Sequence, residues 1–227
     1  MTASAASPAP VEPTEVIHEP DGGFTEHYDI PLREGTWKFR PEKVLRLEQM
    51  KPRAPGELGT LLSLCKDVFV DHWHEIHFGI CIQGAVYELE FAHPPEGFSI
   101  LDGYLTVGMD PGPAHFHLCI EPTRGLGRSK TPAVWAEQRP CRRAVFYRTL
   151  RSDGCSPASW GIRMWNGTGE QMLTVFLPTP FLSHDGRRLR PPDWSRLALW
   201  NELRARYLGE RSPQSIPEAC EPPGAHA

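Results

Sequence analysis

The stretch Ala114–Glu121, AHFHLCIE, decides how the rest of the chain is read. Side chains on a β-strand alternate between its two faces. Phe116, Leu118 and Ile120 then share one face, and His115, His117, Cys119 and Glu121 share the other. The first set reads as core. The second set consists of metal-ligand and acid–base residue types.

Three upstream runs alternate in the same way. Glu75–Gln83 sets Ile76, Phe78, Ile80 and Ile82 against Glu75, His77, Cys81 and Gln83. After Gly84, Ala85, Tyr87, Leu89 and Phe91 oppose Glu88 and Glu90. In FSILDGYLTVG, Phe98–Gly108, Leu101, Leu105 and Val107 oppose Asp102, Tyr104 and Thr106. Short alternating runs separated by Gly/Pro turns predict an antiparallel meander. SWGIRMW (159–165) and EQMLTVFL (170–177), joined by NGTG, predict a further hairpin.

Helices are expected at four places. Residues 35–50 enter one at Pro41, a favoured helix-start residue, and 56–69 form a second. Thr131–Arg151 reads as helical with an interruption near Pro140. In the fourth, 191–208, Asp193 caps a stripe of Trp194, Leu197, Trp200, Leu203 and Tyr207. The fold expected is α+β, a mostly antiparallel sheet of about six strands with helices packed on one face. Residues 1–23 and 211–227, rich in Pro, Ala, Ser and Glu, read as disordered tails around a single domain at 24–210.

Composition bounds the function. The 227 residues are 40% hydrophobic, enough for a core without disulfides. A net charge of −4 gives no basic surface for nucleic acid. No apolar run approaches the roughly 20 residues that span a bilayer, so no membrane partner is expected. The six cysteines form no C-x-x-C pair, and the first residues lack a secretory signal pattern. A reducing cytoplasm with free thiols is the expected setting.

The H-x-H pair carries the chemistry. Imidazoles two residues apart on a strand project in parallel, with Cα atoms roughly 6–7 Å apart. They can converge on one Fe or Zn ion, with His77, Glu75, Cys119 or, if the segment before it coils, His74 as a further ligand. Tyr104, Asp102 and Glu121 are candidates for proton transfer, and Arg124 and Arg163 for holding an anionic substrate. The plainer alternative is that the histidines hydrogen-bond to neighbouring carboxylates and meet no metal.

G-x6-H-x-H-x3-E, from Gly108 through His115 and His117 to Glu121, resembles the first metal motif of the cupin family. That likeness implies a β-barrel holding Fe, Mn, Ni or Zn. The chain departs from the cupin pattern after Gly125, because the later hairpin supplies no histidine for a second motif. HFHLCIEPTRG is similar also to a strand of the small ferredoxin-like extradiol dioxygenases. Both resemblances imply metal-dependent chemistry on a small molecule.

The expected function is therefore an enzyme using one divalent metal ion on a small, anionic substrate. With iron it would be an oxygen-dependent oxidoreductase, and with zinc a hydrolase or lyase acting through metal-bound hydroxide. Alternatives are a carrier or sensor for a metal, haem or tetrapyrrole, and a protein-interaction module. A homodimer is compatible with each.

Overall fold

The computed structural model describes residues 11–36, 43–52, 54, 56–82, 84–109, 114–151 and 159–210. Their strands are β1 (Glu15–His18), β2 (Phe24–Asp29), β3 (Leu45–Arg46), β4 (His77–Gly79), β5 (Cys81–Ile82), β6 (Ala85–Val86), β7 (Phe98–Leu101), β8 (Tyr104–Gly108), β9 (His115–Cys119), β10 (Cys141–Leu150), β11 (Ser159–Asn166) and β12 (Gln171–Phe176). The α-helices are α1 (Thr60–Lys66), α2 (Ala133–Gln138) and α3 (Ala198–Leu208). Strand order is β1-β2-β10-β11-β12-β4 in a six-stranded sheet, β3-β7-β8-β9 in a four-stranded sheet and β5-β6 in a two-stranded ribbon. The fold is α+β and mostly antiparallel, as the alternating runs predicted.

The chain divides into two compact units. One comprises residues 1–30, 145–162 and 176–227. Here β2 pairs antiparallel with β1 and with β10, Phe146 lying opposite Tyr28. Asp193 accepts the N–H of Ser195 at 3.1 Å and caps a 3-10 turn, Trp194–Leu197, which leads into α3. The predicted stripe then delivers Trp200 and Leu203, both fully buried. The Trp200 ring meets Phe146 edge-on at 5.7 Å. Buried Arg204 lies over the Tyr28 ring at 4.3 Å and pairs with Glu210. Glu26 accepts hydrogen bonds from Tyr28 Oη and Arg148 Nε, each at 2.7 Å. Burial, then the bond to Glu26, pushes the Tyr28 phenol up to about 12. Among the described residues of this unit, buried Arg204 thus sits in an ion pair with Glu210, and Arg148 in one with Glu26, as low dielectric demands.

The other unit comprises residues 31–144 and 163–175. Its core is an aromatic cluster. Phe78 of β4 and Phe116 of β9 approach to 5.1 Å between ring centroids. Phe69, from the π-helical turn Asp67–Asp71 after α1, lies 5.3 Å from Phe78 and 5.1 Å from Phe116. Phe91 stacks on Phe78 at 5.0 Å. Gly79 is fixed by close approach: a Cβ there would sit 1.5 Å from the Tyr87 carbonyl oxygen.

Four expectations are corrected. FSILDGYLTVG is not one strand but the β7–β8 hairpin, with Leu101 opposite Tyr104. The two residues between them, Asp102 (φ 46°) and Gly103 (φ 80°), turn with positive φ, as Asp-Gly does in tight hairpins. Thr131–Arg151 is helical over Ala133–Gln138 alone, then becomes the ten-residue β10. Val145, Phe146, Tyr147 and Thr149 are β-favouring residue types, and pairing with β2 settles the matter. Of the helix expected from Pro41, residues 37–42 lie outside the described set, and the rest forms β3 and a 3-10 turn, Leu47–Gln49. Glu15–His18, assigned to a disordered tail, pairs with β2 along its length. The tail expected at 211–227 lies outside the described residues.

Two substitutions test the packing of the second unit. Phe116→Ala should cost roughly 3–5 kcal/mol of unfolding free energy in urea titrations followed by tryptophan fluorescence. Gly79→Ala should cost about 3 kcal/mol by overpacking, with no loss of apolar area to account for it.

Candidate functional site

A cavity of about 520 Å³ opens in the second unit. One wall is residues 31–35 clasped to the start of α1. Thr60 donates its N–H to the Arg33 carbonyl at 2.9 Å and its hydroxyl to that of Pro31 at 3.0 Å. The Arg33 N–H in turn reaches the Thr60 hydroxyl at 3.0 Å. Gly35 permits this contact, since a Cβ there would lie 2.5 Å from the Glu57 carbonyl oxygen. The floor is apolar: Leu58, Leu62, Ile100, Ile120 and Cys141 line the cavity and are buried. The exposed side chains of Arg33, Lys43, Arg124 and Arg142 surround it.

Three carboxylates, Glu34, Asp102 and Glu121, also line the cavity. Asp102 is committed. Its Oδ1 accepts the Arg124 N–H and its Oδ2 the Gly125 N–H, each at 2.8 Å. It thereby ties the β7–β8 turn to the loop that carries Arg124. Both of its oxygens thus hold backbone donors and position that loop. Glu121 differs. Burial, and then the charge of Glu34, pushes its carboxyl above the ordinary range.

The residues predicted to bind metal do not assemble. His77 and the H-x-H pair stand on strands whose phenylalanines, Phe78 and Phe116, pack against each other. Neighbours in a strand point oppositely. His77 is therefore directed away from His115 and His117. It lies 3.6 Å from Glu90, while His72 Nδ1 holds Glu75 at 2.9 Å and His74 stands 4.0 Å from that same carboxylate. His115 and His117 are exposed, their rings edge-on at 4.8 Å, and Thr106 Oγ1 lies 2.8 Å from His117 Nδ1. Cys119 is buried, and its thiol donates to the Glu121 carbonyl at 3.4 Å. Tyr104 faces it across the strand pair, opposite Cys119 in register. Burial foremost raises both the Tyr104 phenol and the Cys119 thiol, the latter to about 11. Arg163 lies on β11 and does not line the cavity. Among the described residues, no three His, Cys, Asp or Glu side chains form a group that could hold a metal ion.

The cavity thus gathers Asp102, Glu121 and Arg124 from the expected set. It adds Arg33, Glu34, Lys43 and Arg142, none of which stands in a motif. For Arg142 alone a signal was available, the density of arginines after residue 123: residues 124–151 hold eight Lys or Arg and one acidic residue.

The chain belongs to a family of unknown function, DUF7676, whose model matches residues 43–209. A solved structure described as "Crystal structure of ChuX" is similar at 17% identity and a TM-score of 0.41, covering 65% of this chain and 74% of that one. A likeness of that degree carries no argument about function. No curated protein matches the sequence. No helix among the described residues is long and apolar enough to cross a membrane.

Two measurements check the roles of the buried polar groups. Asp102→Ala removes a charged acceptor from two N–H donors and should destabilise by about 2–3 kcal/mol, whereas Asp102→Asn should retain part of that loss. Iodoacetamide at pH 8 should leave Cys119 and Cys141 unmodified until denaturant is added. Burial raises both thiols, Cys141 to about 12, so little reactive thiolate is present.

Proposed function

We propose that this protein binds a small organic anion with an apolar body in the 520 Å³ cavity. The volume falls within the roughly 300–1,000 Å³ usual for small-molecule sites. The observation that carries the reading is the pairing of an apolar floor with four cationic side chains around it. Such a cavity favours a hydrocarbon or aromatic body below and a carboxylate, sulfonate or phosphate above, where arginine offers bidentate bonds. Asp102 does not oppose the ligand fully, since its charge is spread over two backbone donors. A tetrapyrrole with carboxylate side chains belongs to the same chemical class as a fatty acid in this respect.

Glu121 makes the site sensitive to pH. Its raised folded-state value means that folding favours the protonated form. That contribution to stability is complete below the ordinary glutamate value, about 4.3, and is lost as pH rises through the raised value. Anion binding adds to the same preference, so it should tighten as Glu121 takes up its proton. A second reading, turnover with Glu121 as the acid–base group, is favoured by this upward shift inside a cavity.

The test is titration with 1-anilinonaphthalene-8-sulfonate, with decanoate, haemin and decyltrimethylammonium as competitors. Decanoate or haemin should displace the dye, and the ammonium should not. Arg124→Ala combined with Arg142→Ala should weaken binding by about tenfold, near 1.4 kcal/mol. Glu121→Gln should tighten binding at pH 7–8 and abolish its pH dependence. Indifference to the arginines, or equal displacement by the ammonium, would show that the dye reports apolar surface alone.

A further inference from the structure

The apolar ladder that begins in the aromatic core does not end there. In the ribbon around β5 and β6, Phe78 lies opposite Leu89, with N–H···O=C bonds of 2.9 and 2.8 Å in both directions. Tyr87 donates to the Ile80 carbonyl at 3.0 Å, and Ile82 lies opposite Ala85. Cross-strand partners share a face. Phe78–Leu89, Ile80–Tyr87 and Ile82–Ala85 therefore form one continuous apolar row. Phe78 is buried at 1% exposure, whereas Ile80 is 48% exposed, Ile82 55% and Tyr87 67%. Val86, on the opposite face, is 60% exposed. Exposed apolar surface gathered on one ribbon marks an interaction site more than scattered single residues do.

Charge identifies the occupant. Residues 67–123 contain no Lys or Arg in 57 positions and nine Asp or Glu. Glu88 and Glu90 stand exposed on the returning strand, and the titratable group facing them is His77, 3.6 Å from Glu90. Two copies of this ribbon would oppose like charges, which is unfavourable. A basic partner is complementary. Among the described residues β6 is bonded to β5 alone, so its outer edge is open to a further strand.

We infer that the Phe78–Leu89 ribbon docks an extended segment of another protein in which apolar residues alternate with lysine or arginine. The partner would add a strand along β6, set its apolar side chains on the exposed row and its cations against Glu88 and Glu90.

The experiment uses the full chain and two fluorescein-labelled peptides, Ac-KVKVKVKVK-NH2 and Ac-EVEVEVEVE-NH2, followed by anisotropy. The lysine peptide should bind, and more weakly as salt rises. The Glu88→Lys/Glu90→Lys variant should lose it by about tenfold or more and gain the glutamate peptide. Glu12→Lys/Glu202→Lys, which changes net charge equally at other sites, should leave both unchanged. Tyr87→Ser should weaken binding without reversing the preference. Equal binding of both peptides, binding of neither, or equal loss in the two charge variants would overturn the inference. So would a concentration-dependent dimer abolished by Tyr87→Ser, which would assign the ribbon to a second copy.

Discussion

The convergence of two backbone N–H groups on one carboxylate, that of Asp102, organises the cavity. Arg124 and Gly125 leave β9 in a loop whose N–H groups have no strand to pair with, and a buried or half-buried donor must find an acceptor. Asp102 supplies it from the tip of the β7–β8 hairpin, a position at which a short polar side chain tolerates positive φ. Its neighbour Gly103 completes the arrangement by lacking a Cβ, which would stand 2.3 Å from the Glu121 carbonyl oxygen. One dipeptide therefore reverses the chain, seats the next strand's exit and orients an arginine at the cavity. The chemistry of the site depends on a turn.

The aromatic contact between β4 and β9 explains why the histidines are dispersed. When the apolar faces of two strands are pressed together, the residues alternating with them must point outwards on opposite sides. The density of histidine between residues 72 and 117 is real in the sequence and separated in space. Each of His72, His77 and His117 instead lies beside a carboxylate or hydroxyl, namely Glu75, Glu90 and Thr106.

The parts of the fold legible in the sequence are those fixed by local physics. The last helix was marked by its Asp193 cap and its stripe, and the β11–β12 hairpin by alternation around NGTG. In and just after β9 the parity placed Leu118 and Ile120 in the core, though Cys119 on the other face is buried as well. Parity failed where it ran unbroken through a turn: Asp-Gly inside FSILDGYLTVG is a two-residue reversal that exchanges odd and even faces, so Phe98 and Ile100 are buried with Leu105 and Val107 while Leu101 shares the other face with Tyr104. Residues 141–150 read locally as helical because arginines and alanine surround their β-favouring residues, and the pairing with β2 that overrides local preference comes from over a hundred residues away. The cavity was half visible. Asp102, Glu121 and Arg124 lie on one connected stretch of turn and strand end, whereas Arg33 is brought to it by the clasp at Thr60, Lys43 by its place just before β3 and Arg142 by β10.

Gly79 has a consequence for how this family can vary. The atom that a side chain at residue 79 would strike is the carbonyl oxygen of Tyr87, which every amino acid at residue 87 would present alike. In a packed core, an enlargement at one site is commonly relieved by a reduction at its neighbour. No such compensating pair exists here, because main chain cannot be trimmed. Suppressors of a Gly79 change must instead shift the returning strand as a whole, through its turn at Gly84 or its anchor at Leu89. Position 79 is thereby uncoupled from side-chain covariation with the residue it touches.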